Sequence, residues 1–441
     1  MRISFIGLGK LGLCSAACFA AKGHTVVGVD ADPAVLSALR AGRCPVREKG
    51  LEDMLERARE NFSCTGDCGD AVRRSDLTMI IVPTPSRVDG AFSNTYVETA
   101  LRRLAPALAA RSGFHIVSVV STVMPGSCSS RFVPLLEELT GKECGRDFGL
   151  VYNPEFIALG SVIRDFLHPD LVLIGASDER SARTMSDLYA SIVESEPYYA
   201  VMSLINAEIA KLALNCFVTM KISFADELAA LCERIPGADV DTVADAVGAD
   251  SRVGRKYLKG GMGFGGPCFP RDNRAFQAAG RAYGYEALLG PRVIAVNDAV
   301  PERIFARIRQ SVPTGGIVAL FGVAYKRGTH IVEESQAIIL AKRLVEDGYS
   351  VRLHDPLALD AARAELGDAV AYCVSPHDAA EGAVCIALLA DSPEFAAYDW
   401  RRLESSAAPG ALLLDAWRLL RGRRFGTMRY APLGIGGSPG I

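Results

Sequence analysis

The hydrophobic pattern of the N-terminal half predicts alternating buried strands and helices. Residues 2–6 contain the large apolar side chains of Ile3, Phe5 and Ile6, which predicts a buried strand. A helix rich in small apolar residues is predicted over 13–21, and a second strand over 25–29. Further buried strands are predicted at 77–82, 115–120, 148–152 and 171–174. This alternation is typical of an α/β fold with a parallel sheet.

A long helix is predicted from Ser203 to about Arg234. It is apolar around most of its circumference, so we expect it to contact two domains or a second subunit. Lys211 and Asn215 share one face because they are one helical turn apart. An amine inside such a helix is costly unless it has a partner or a task.

The C-terminal half repeats the pattern of strand, helix, and strand followed by an acid. Strands are predicted at 316–325, 350–353, 383–389 and 411–414, with a helix at 335–347. The Gly- and Pro-rich tail from Leu433 to Ile441 is expected to be disordered. The predicted fold class is α/β, with two Rossmann-like doubly wound domains joined by a long central helix and a helical dimerisation segment. The predicted domains are 1–200, 201–300 and 301–441.

Charge and cysteine spacing exclude several classes of partner. The 441 residues carry a net charge of −3, so no broad basic surface for nucleic acid or an anionic membrane is expected. The twelve cysteines form neither a CxxC pair nor a Cys/His cluster, so no metal site is predicted. We expect reduced thiols, a cytoplasmic protein, no leader and no membrane span.

A glycine-rich turn after the first strand predicts an NAD site. Gly7 permits the tight turn, Gly9 lets the backbone approach a pyrophosphate, and Gly12 allows close helix packing. Asp30 ends the second strand, where an acid accepts from a ribose hydroxyl and favours NAD over NADP. The alternative is a generic turn.

Three unusual loops follow later strands of the same predicted sheet. They are Pro83-Thr84-Pro85, Ser121-Thr122 and Asn153-Pro154-Glu155-Phe156. Ligands of an open parallel sheet lie beyond the carboxyl ends of its strands, where all three loops are expected. Each loop alone could be an ordinary connection.

The stretch from Gly263 to Asp272 predicts an exposed, activated cysteine. Glycines at 263, 265 and 266 allow close backbone approach, and prolines at 267 and 270 fix the chain around Cys268. Arg271 favours thiolate and Asp272 can handle protons. The alternative is a surface turn with an idle cysteine.

These motifs together resemble the UDP-glucose/GDP-mannose dehydrogenase family, over residues 1 to about 420. The resemblance implies an NAD domain, a central dimerisation segment, and a C-terminal domain that binds the nucleotide of a sugar donor. A homodimer through the central helix is therefore expected. The motifs that carry the resemblance are Gly7-Leu8-Gly9, Val82-Pro83-Thr84-Pro85, Ser121-Thr122-Val123, Asn153-Pro154-Glu155-Phe156, Ala207-Glu208 with Lys211 and Asn215, Ser251-Arg252-Val253-Gly254, Gly263 to Asp272, and Ala324-Tyr325-Lys326.

The resemblance also implies residue roles in a four-electron oxidation of a sugar C6 hydroxyl to a uronic acid. Cys268 would form a thiohemiacetal and then a thioester, which is hydrolysed. Lys211 and Asn215 would stabilise oxyanion character, Asp272 would act with Lys211 on a water, Glu155 would be the acid/base group, and Thr122 would lie near cofactor and water. The implied cofactor contacts are Gly7, Gly9, Gly12, Asp30, Pro83, Thr84, Pro85, Ser121 and Thr122. The implied donor contacts are Glu155, Phe156, Lys211, Asn215, Arg252, Tyr257, Lys259, Phe264, Gly265 and Lys326.

Four positions depart from the family pattern. Leu159 replaces a second glutamate, Glu333 replaces an arginine that contacts NAD in relatives, Val35 replaces a frequent basic residue, and Arg271 replaces a lysine. We therefore expect an intact catalytic group with weaker NAD affinity or altered domain closure. UDP-glucose is the first choice of donor, followed by GDP-mannose and a UDP-N-acetyl-hexosamine. A nucleotide-sugar-binding protein without turnover, or an enzyme of single oxidation, remain alternatives.

Overall fold

A computed structural model describes residues 1–157 and 159–437 of the chain. The chain divides into two compact units, Met1–Ala213 and Leu214–Ile441. The predicted division at 200 and 300 stays a prediction. Pro301 lies inside a helix, so the backbone has no break at that residue.

The first unit is built on one eight-stranded sheet in the order β3-β2-β1-β4-β5-β6-β7-β8. Neighbouring strands are parallel except β6 and β7, so the last two strands run opposite to the first six. The strands are β1 (Arg2–Ile6), β2 (Thr25–Val29), β3 (Phe62–Thr65), β4 (Leu77–Ile80), β5 (His115–Val119), β6 (Phe148–Tyr152), β7 (Leu171–Ala176) and β8 (Tyr198–Ser203).

Helices cover both faces of this sheet. Alternate residues of β1 enter different cores: Phe5 packs in one with Phe19, and Ile6 packs in the other with Leu104. This alternation is the period of two expected of a strand buried on both faces. The helices are α1 (Lys10–Ala21), α2 (Pro33–Arg40), α3 (Leu51–Arg57), α4 (Cys68–Arg73), α5 (Thr95–Ala109), α6 (Val133–Thr140), which follows a π-helical turn at Cys128–Phe132, α7 (Val162–Leu167) and α8 (Glu179–Ala190).

The predicted long helix is α9 (Leu204–Cys232), and the boundary between the two units falls within it. Within residues 1–157 and 159–437, no helix combines the length and apolar content needed to cross a bilayer.

Among its described residues, the second unit contains eight helices after α9 and a six-stranded parallel sheet in the order β11-β10-β9-β12-β13-β14. The elements are α10 (Val240–Ala249), α11 (Phe269–Ala282), α12 (Leu289–Ser311), β9 (Ile317–Phe321), α13 (Gln336–Glu346), β10 (Ser350–His354), α14 (Leu359–Leu366), β11 (Ala371–Tyr372), α15 (Pro376–Ala380), β12 (Cys385–Leu388), α16 (Pro393–Ala396), α17 (Trp400–Ser406), β13 (Leu412–Asp415) and β14 (Arg429–Pro432).

Both sheets contain the strand order of a doubly wound dinucleotide fold, which confirms the predicted fold class. The pattern missed β3, β8, β11 and β14, which are short or lack strongly apolar runs. The strand expected over 316–325 ends at Phe321 because Gly322 turns the chain with a φ of 90°.

The prediction of a disordered tail was wrong for residues 433–437. Leu433 is 1% exposed, and the Gly434 N–H donates to the Glu233 carboxylate over 2.8 Å. The Gly434 carbonyl accepts from the Val240 N–H, and Ile435 pairs with Asp239 in an antiparallel bridge. Backbone hydrogen bonds therefore order a segment whose composition predicted disorder. Residues 438–441 lie outside the described residues.

Candidate active site

The turn after β1 has the geometry of a phosphate-binding loop. Gly7 has a φ of 100°, and a β-carbon there would lie 2.1 Å from the Ile81 carbonyl oxygen. A β-carbon at Gly12 would lie 1.9 Å from the Gly7 carbonyl oxygen, whereas one at Gly9 would meet nothing within 4 Å in the described chain. No described side chain caps the N-terminus of α1. The loop therefore offers open space beside backbone N–H groups, which fits a pyrophosphate.

Asp30 braces this turn from the end of β2. Its carboxylate accepts from the Leu8 N–H and from the Asp32 N–H, each over 2.8 Å. In the second sheet Asp355 occupies the equivalent place and accepts from Val323 N–H over 2.8 Å and Leu357 N–H over 2.9 Å. The ribose contact of Asp30 stays a prediction.

Two of the predicted cofactor loops are tied to each other. The Ser121 hydroxyl donates to the Val82 carbonyl over 2.7 Å and accepts from the Val82 N–H over 2.9 Å. The Thr84 hydroxyl donates to the Thr122 carbonyl over 2.8 Å. Both loops are therefore held side by side at the carboxyl ends of β4 and β5, as the sequence predicted.

Glu208 anchors the continuation of the second loop. Its side chain is fully buried in α9, and it accepts from the N–H groups of Gly126 over 2.6 Å and Cys128 over 2.7 Å. The sequence singled out Glu208 only as part of a motif and assigned it no role. The signal that could have found it is an acid inside an apolar helix, which needs partners.

Glu155 follows β6 and lies against Tyr189 of α8. The Tyr189 hydroxyl lies 2.6 Å from Glu155 Oε1 and 2.7 Å from Asn153 Oδ1. Burial raises the pKa of Glu155 to about 7, against the hydrogen bond from Tyr189 and the charge of Lys211, which both lower it. A carboxyl with that pKa can both give and take a proton near neutral pH.

Lys211 has the partners that its place in an apolar helix demands. Its ammonium donates to the Glu155 carbonyl over 2.6 Å and lies 4.3 Å from the centroid of the Phe156 ring. The residue is 7% exposed. The backbone of the Glu155 loop and the Lys211 amine therefore hold each other in place.

Cys268 is exposed at the N-cap of α11, which confirms that the Gly/Pro loop presents this side chain. Its carbonyl accepts from the Asp272 N–H over 2.8 Å. Asp272 is 1% exposed, and its carboxylate accepts from the Asn215 amide over 2.6 Å. The second unit thus holds a thiol, a carboxylate and a carboxamide within one turn of α11 and its neighbour α9.

The backbone of the cysteine loop is held by Asn297 of α12. The Asn297 side chain accepts from the Phe264 N–H over 2.6 Å and donates to the Phe264 carbonyl over 3.1 Å. A β-carbon at Gly263 would lie 2.2 Å from the Asn297 amide oxygen. Asn297 was not found from the sequence, because the sequence does not indicate whether a single polar residue in a helix is buried or which residue it contacts.

The loop after β9 packs against the same glycines. The Gly266 N–H donates to the Glu333 carbonyl over 3.0 Å. A β-carbon at Gly266 would lie 2.5 Å from the Tyr325 ring, and one at Gly265 would lie 2.3 Å from the Glu334 carbonyl oxygen. Glycine is therefore required at both positions, and the substituted Glu333 contacts the loop through its backbone.

The remaining predicted donor contacts lie in varied surroundings. The Arg252 guanidinium pairs with Asp250 at 2.6 Å while its side chain is 87% exposed. Lys259 pairs with Asp391 at 2.5 Å. Tyr257 is half-exposed with a φ of 70°, and the Lys326 amine lies 6.0 Å from the Tyr325 ring centroid. Their roles toward a donor stay predictions.

Arg418 is a further residue that the sequence did not single out. Its side chain is 3% exposed and pairs with Asp241 at 2.7 Å, and its guanidinium donates to the Lys259 and Gly260 carbonyls over 2.9 and 3.0 Å. The available signal was an arginine within the run at 412–420, which apart from Asp415 is otherwise apolar. It joins the end of β13 to the segment that leads into the cysteine loop.

Comparison with known proteins gives matches along nearly the whole chain. Models of the UDP-glucose/GDP-mannose dehydrogenase family match the NAD binding domain at residues 1–193, the central domain at 205–299 and the UDP binding domain at 319–422. UDP-glucose 6-dehydrogenase AglM of Haloferax volcanii is 36% identical over 96% of this chain and 98% of its own. GDP-mannose 6-dehydrogenase of Pseudomonas putida is 33% identical over 80% of this chain and 81% of its own.

A solved structure matches as well. A UDP-glucose dehydrogenase from the archaeon Pyrobaculum islandicum superposes with a TM-score of 0.87 at 34% identity, covering 98% of this chain and 97% of that one. Sequence identity at this level over almost complete chains establishes the family as well as the fold. The chain therefore belongs to the UDP-glucose/GDP-mannose dehydrogenase family and is an NAD-dependent oxidoreductase.

Proposed function

We propose that this protein oxidises the C6 hydroxyl of UDP-glucose to the carboxylate in two successive dehydrogenations at one carbon. The observation that carries the proposal is the exposed thiol of Cys268 at the start of α11, on a loop fixed by Asn297. The match of 319–422 to a UDP binding domain and the names of the relatives support UDP-glucose as the donor.

The residues of the first unit fit NAD, which supplies a hydride acceptor when it is bound. The open space at Gly9 suits a pyrophosphate, and the N-terminus of α1 favours its negative charge. We assign Asp30 to the ribose, and the linked loops at Pro83, Thr84, Pro85, Ser121 and Thr122 to the rest of the cofactor. Gly7 and Gly12 keep the turn tight against the sheet.

Cys268 allows the second oxidation. The first dehydrogenation removes a hydride from C6 and a proton from its oxygen, which leaves an aldehyde. The thiolate adds to the aldehyde carbon, a carbon–sulfur bond forms, and the oxygen takes up a proton to give a thiohemiacetal. Loss of a second hydride from that carbon, and of the hydroxyl proton, leaves a thioester on Cys268.

The thioester is then hydrolysed. Water adds to its carbonyl carbon, Glu155 takes the water's proton, and the carbon–sulfur bond breaks to release the thiolate and the uronic acid. We assign Lys211 and Asn215 to the negative charge on the oxygen, and Asp272 with Lys211 to the water. We assign Thr122 to the same water because this residue belongs to one of the two linked cofactor loops.

The substrate contacts are proposed from the resemblance of their motifs to those of the family. Phe156, Phe264 and Gly265 are assigned to the sugar-facing wall. Arg252, Tyr257, Lys259 and Lys326 are assigned to the nucleotide, because three of them bring positive charge to a diphosphate.

We also propose that the protein is a homodimer through α9 and works in the cytoplasm. Phe217, Phe224 and Leu231 are each more than half exposed, and their seven-residue spacing puts them on one stripe of the helix. A second copy of the same stripe would bury these side chains. A reducing compartment keeps Cys268 available as a thiol.

Product stoichiometry tests the function. Purified protein with NAD and UDP-glucose should yield two NADH per donor, and Cys268→Ser should abolish or halve that yield. Cys373→Ser, at a half-buried cysteine with no assigned role, is the matched control and should leave the yield at two. GDP-mannose and UDP-N-acetyl-hexosamines complete the panel and identify the donor.

The other outcomes distinguish the alternatives. One NADH per donor, unaffected by Cys268→Ser, would indicate a single oxidation. No NADH with any donor, together with calorimetric binding of one of them, would indicate a binding protein and would overturn the proposal.

A further inference from the structure

The phenol of Tyr189 lies between two oxygen acceptors inside the first unit. Its oxygen is 2.6 Å from Glu155 Oε1 and 2.7 Å from Asn153 Oδ1. The Asn153 amide nitrogen donates to the Leu173 carbonyl over 2.9 Å, so the amide oxygen is turned toward the phenol. Tyr189 is 2% exposed, and Asn153 is 1% exposed.

A phenol has one proton, so Tyr189 donates fully to only one of these oxygens at a time. When Glu155 is ionised, the phenolic proton stabilises its carboxylate. When Glu155 is protonated, the carboxyl proton can be donated to the phenolic oxygen, and the phenol can donate to Asn153. Each protonation state of Glu155 therefore has a hydrogen-bonded arrangement without movement of a heavy atom.

We propose that Tyr189 is a positioning residue that supports Glu155 in both protonation states and thereby sets the pH at which it changes from acid to base. The proposal rests on the proposed role of Glu155 in thioester hydrolysis. A group that takes a proton from water and later releases it must be stable in both forms.

Among the described residues, two further titratable groups interact with Glu155, and each comes from a different helix. Lys211 of α9 lowers its pKa by charge. Cys18 of α1 stays protonated, because burial and the Glu155 charge raise the pKa of its thiol to about 12. Burial and Glu155 also raise the pKa of Tyr189 well above its ordinary value, so the phenol remains a donor. Tyr199 of β8 lies near Tyr189 and is partly buried.

The first test is Tyr189→Phe, which removes the hydroxyl and keeps the ring. The pKa of Glu155 should rise above its present value of about 7, because the carboxylate loses a donor while its burial persists. Hydrogen bonds to charged groups correspond to a shift of about 1 unit or more. The acid limb of the pH profile of kcat for NADH formation should move to higher pH by that amount. Tyr199→Phe is the matched control and should leave the limb in place.

A second variant predicts the opposite sign. Incorporation of 3-fluorotyrosine in place of Tyr189 makes the phenol a stronger donor, so the acid limb should move to lower pH. If the tyrosine ring had a purely structural role, the acid limb would stay in place in both Tyr189→Phe and the fluorinated protein.

A measurement without turnover separates this inference from the proposed function. Protein labelled with carbon-13 at glutamate carboxyls is titrated by NMR, and the resonance missing in Glu155→Gln is assigned to Glu155. An upward shift of its midpoint in Tyr189→Phe supports the inference even if no donor is oxidised. Equal midpoints in wild type, Tyr189→Phe and the fluorinated protein would overturn it, whatever the enzyme assay shows.

Discussion

Replacement of Arg418 by lysine should destabilise the second unit much more than the same replacement at Arg421. The Arg418 side chain is 3% exposed and makes a two-pronged contact with Asp241, at 2.7 and 3.0 Å. The same guanidinium donates to the Leu433 carbonyl over 3.1 Å, besides its contacts to the segment before the cysteine loop. Arg421 lies three residues later, is 56% exposed, and pairs with Asp239 at 2.7 Å.

The expected magnitude follows from the number of hydrogen bonds lost. Lysine keeps the charge but carries its three donors on one nitrogen atom, in place of the planar fork of arginine. It cannot reach Asp241 in two places and also serve the carbonyls, so at least two charged hydrogen bonds are lost. At about 1.5 kcal/mol each, the free energy of unfolding should fall by about 3 kcal/mol. The ion pair of Arg421, whose own side chain is exposed, should account for less than about 1 kcal/mol.

Tryptophan fluorescence during urea unfolding measures this difference. The chain has two tryptophans, Trp400 and Trp417, and both lie in the second unit, where Trp417 adjoins Arg418. The midpoint should move to lower urea in Arg418→Lys at an unchanged slope, whereas Arg421→Lys should stay near wild type. Equal midpoints in the two variants would refute the reasoning, because burial and partner number would then not decide the cost.

Two further predictions concern the cysteine loop and the segment that leads into it. Gly266→Ala should lower kcat for NADH formation by at least about tenfold, because its β-carbon would meet the Tyr325 ring at 2.5 Å. Gly284→Ala, also at positive φ but with no atom within 4 Å among the described residues, is the control and should retain activity; equal activity of both variants would contradict the prediction. Burial raises the pKa of Asp226, which accepts from the Gly261 N–H over 2.8 Å, to about 7 from 3.8. The folded state therefore holds a proton that the unfolded state has released between those values, and stability should fall by about 1.4 kcal/mol per pH unit across that window. In Asp226→Asn the urea midpoint should depend less on pH between pH 5 and 7. An unchanged pH dependence would exclude Asp226 as the cause of the loss of stability.

Local features of the chain were sufficient for the fold class and for the turns that present the candidate site. The glycine spacing at 7, 9 and 12 predicted the turn, because only residues without a side chain fit where Gly12 approaches Gly7. The glycines and prolines around Cys268 predicted its exposure for the same reason. Short-range sterics and the period of two in buried strands act within a few residues, so they can be read along the sequence.

The partners of these residues were decided by tertiary structure. Tyr189 meets Glu155 only because α8 packs beside the end of β6. Arg418 meets Asp241 although the two residues are 177 positions apart in the sequence. The tail at 433–437 is ordered by pairing with residues near 239, although its composition predicts disorder. Desolvation, which raises the pKa of Glu155, depends on the atoms packed around it. The sequence by itself determined which groups the protein carries and how the chain turns beside them, and only packing between distant segments decided their partners and their charge.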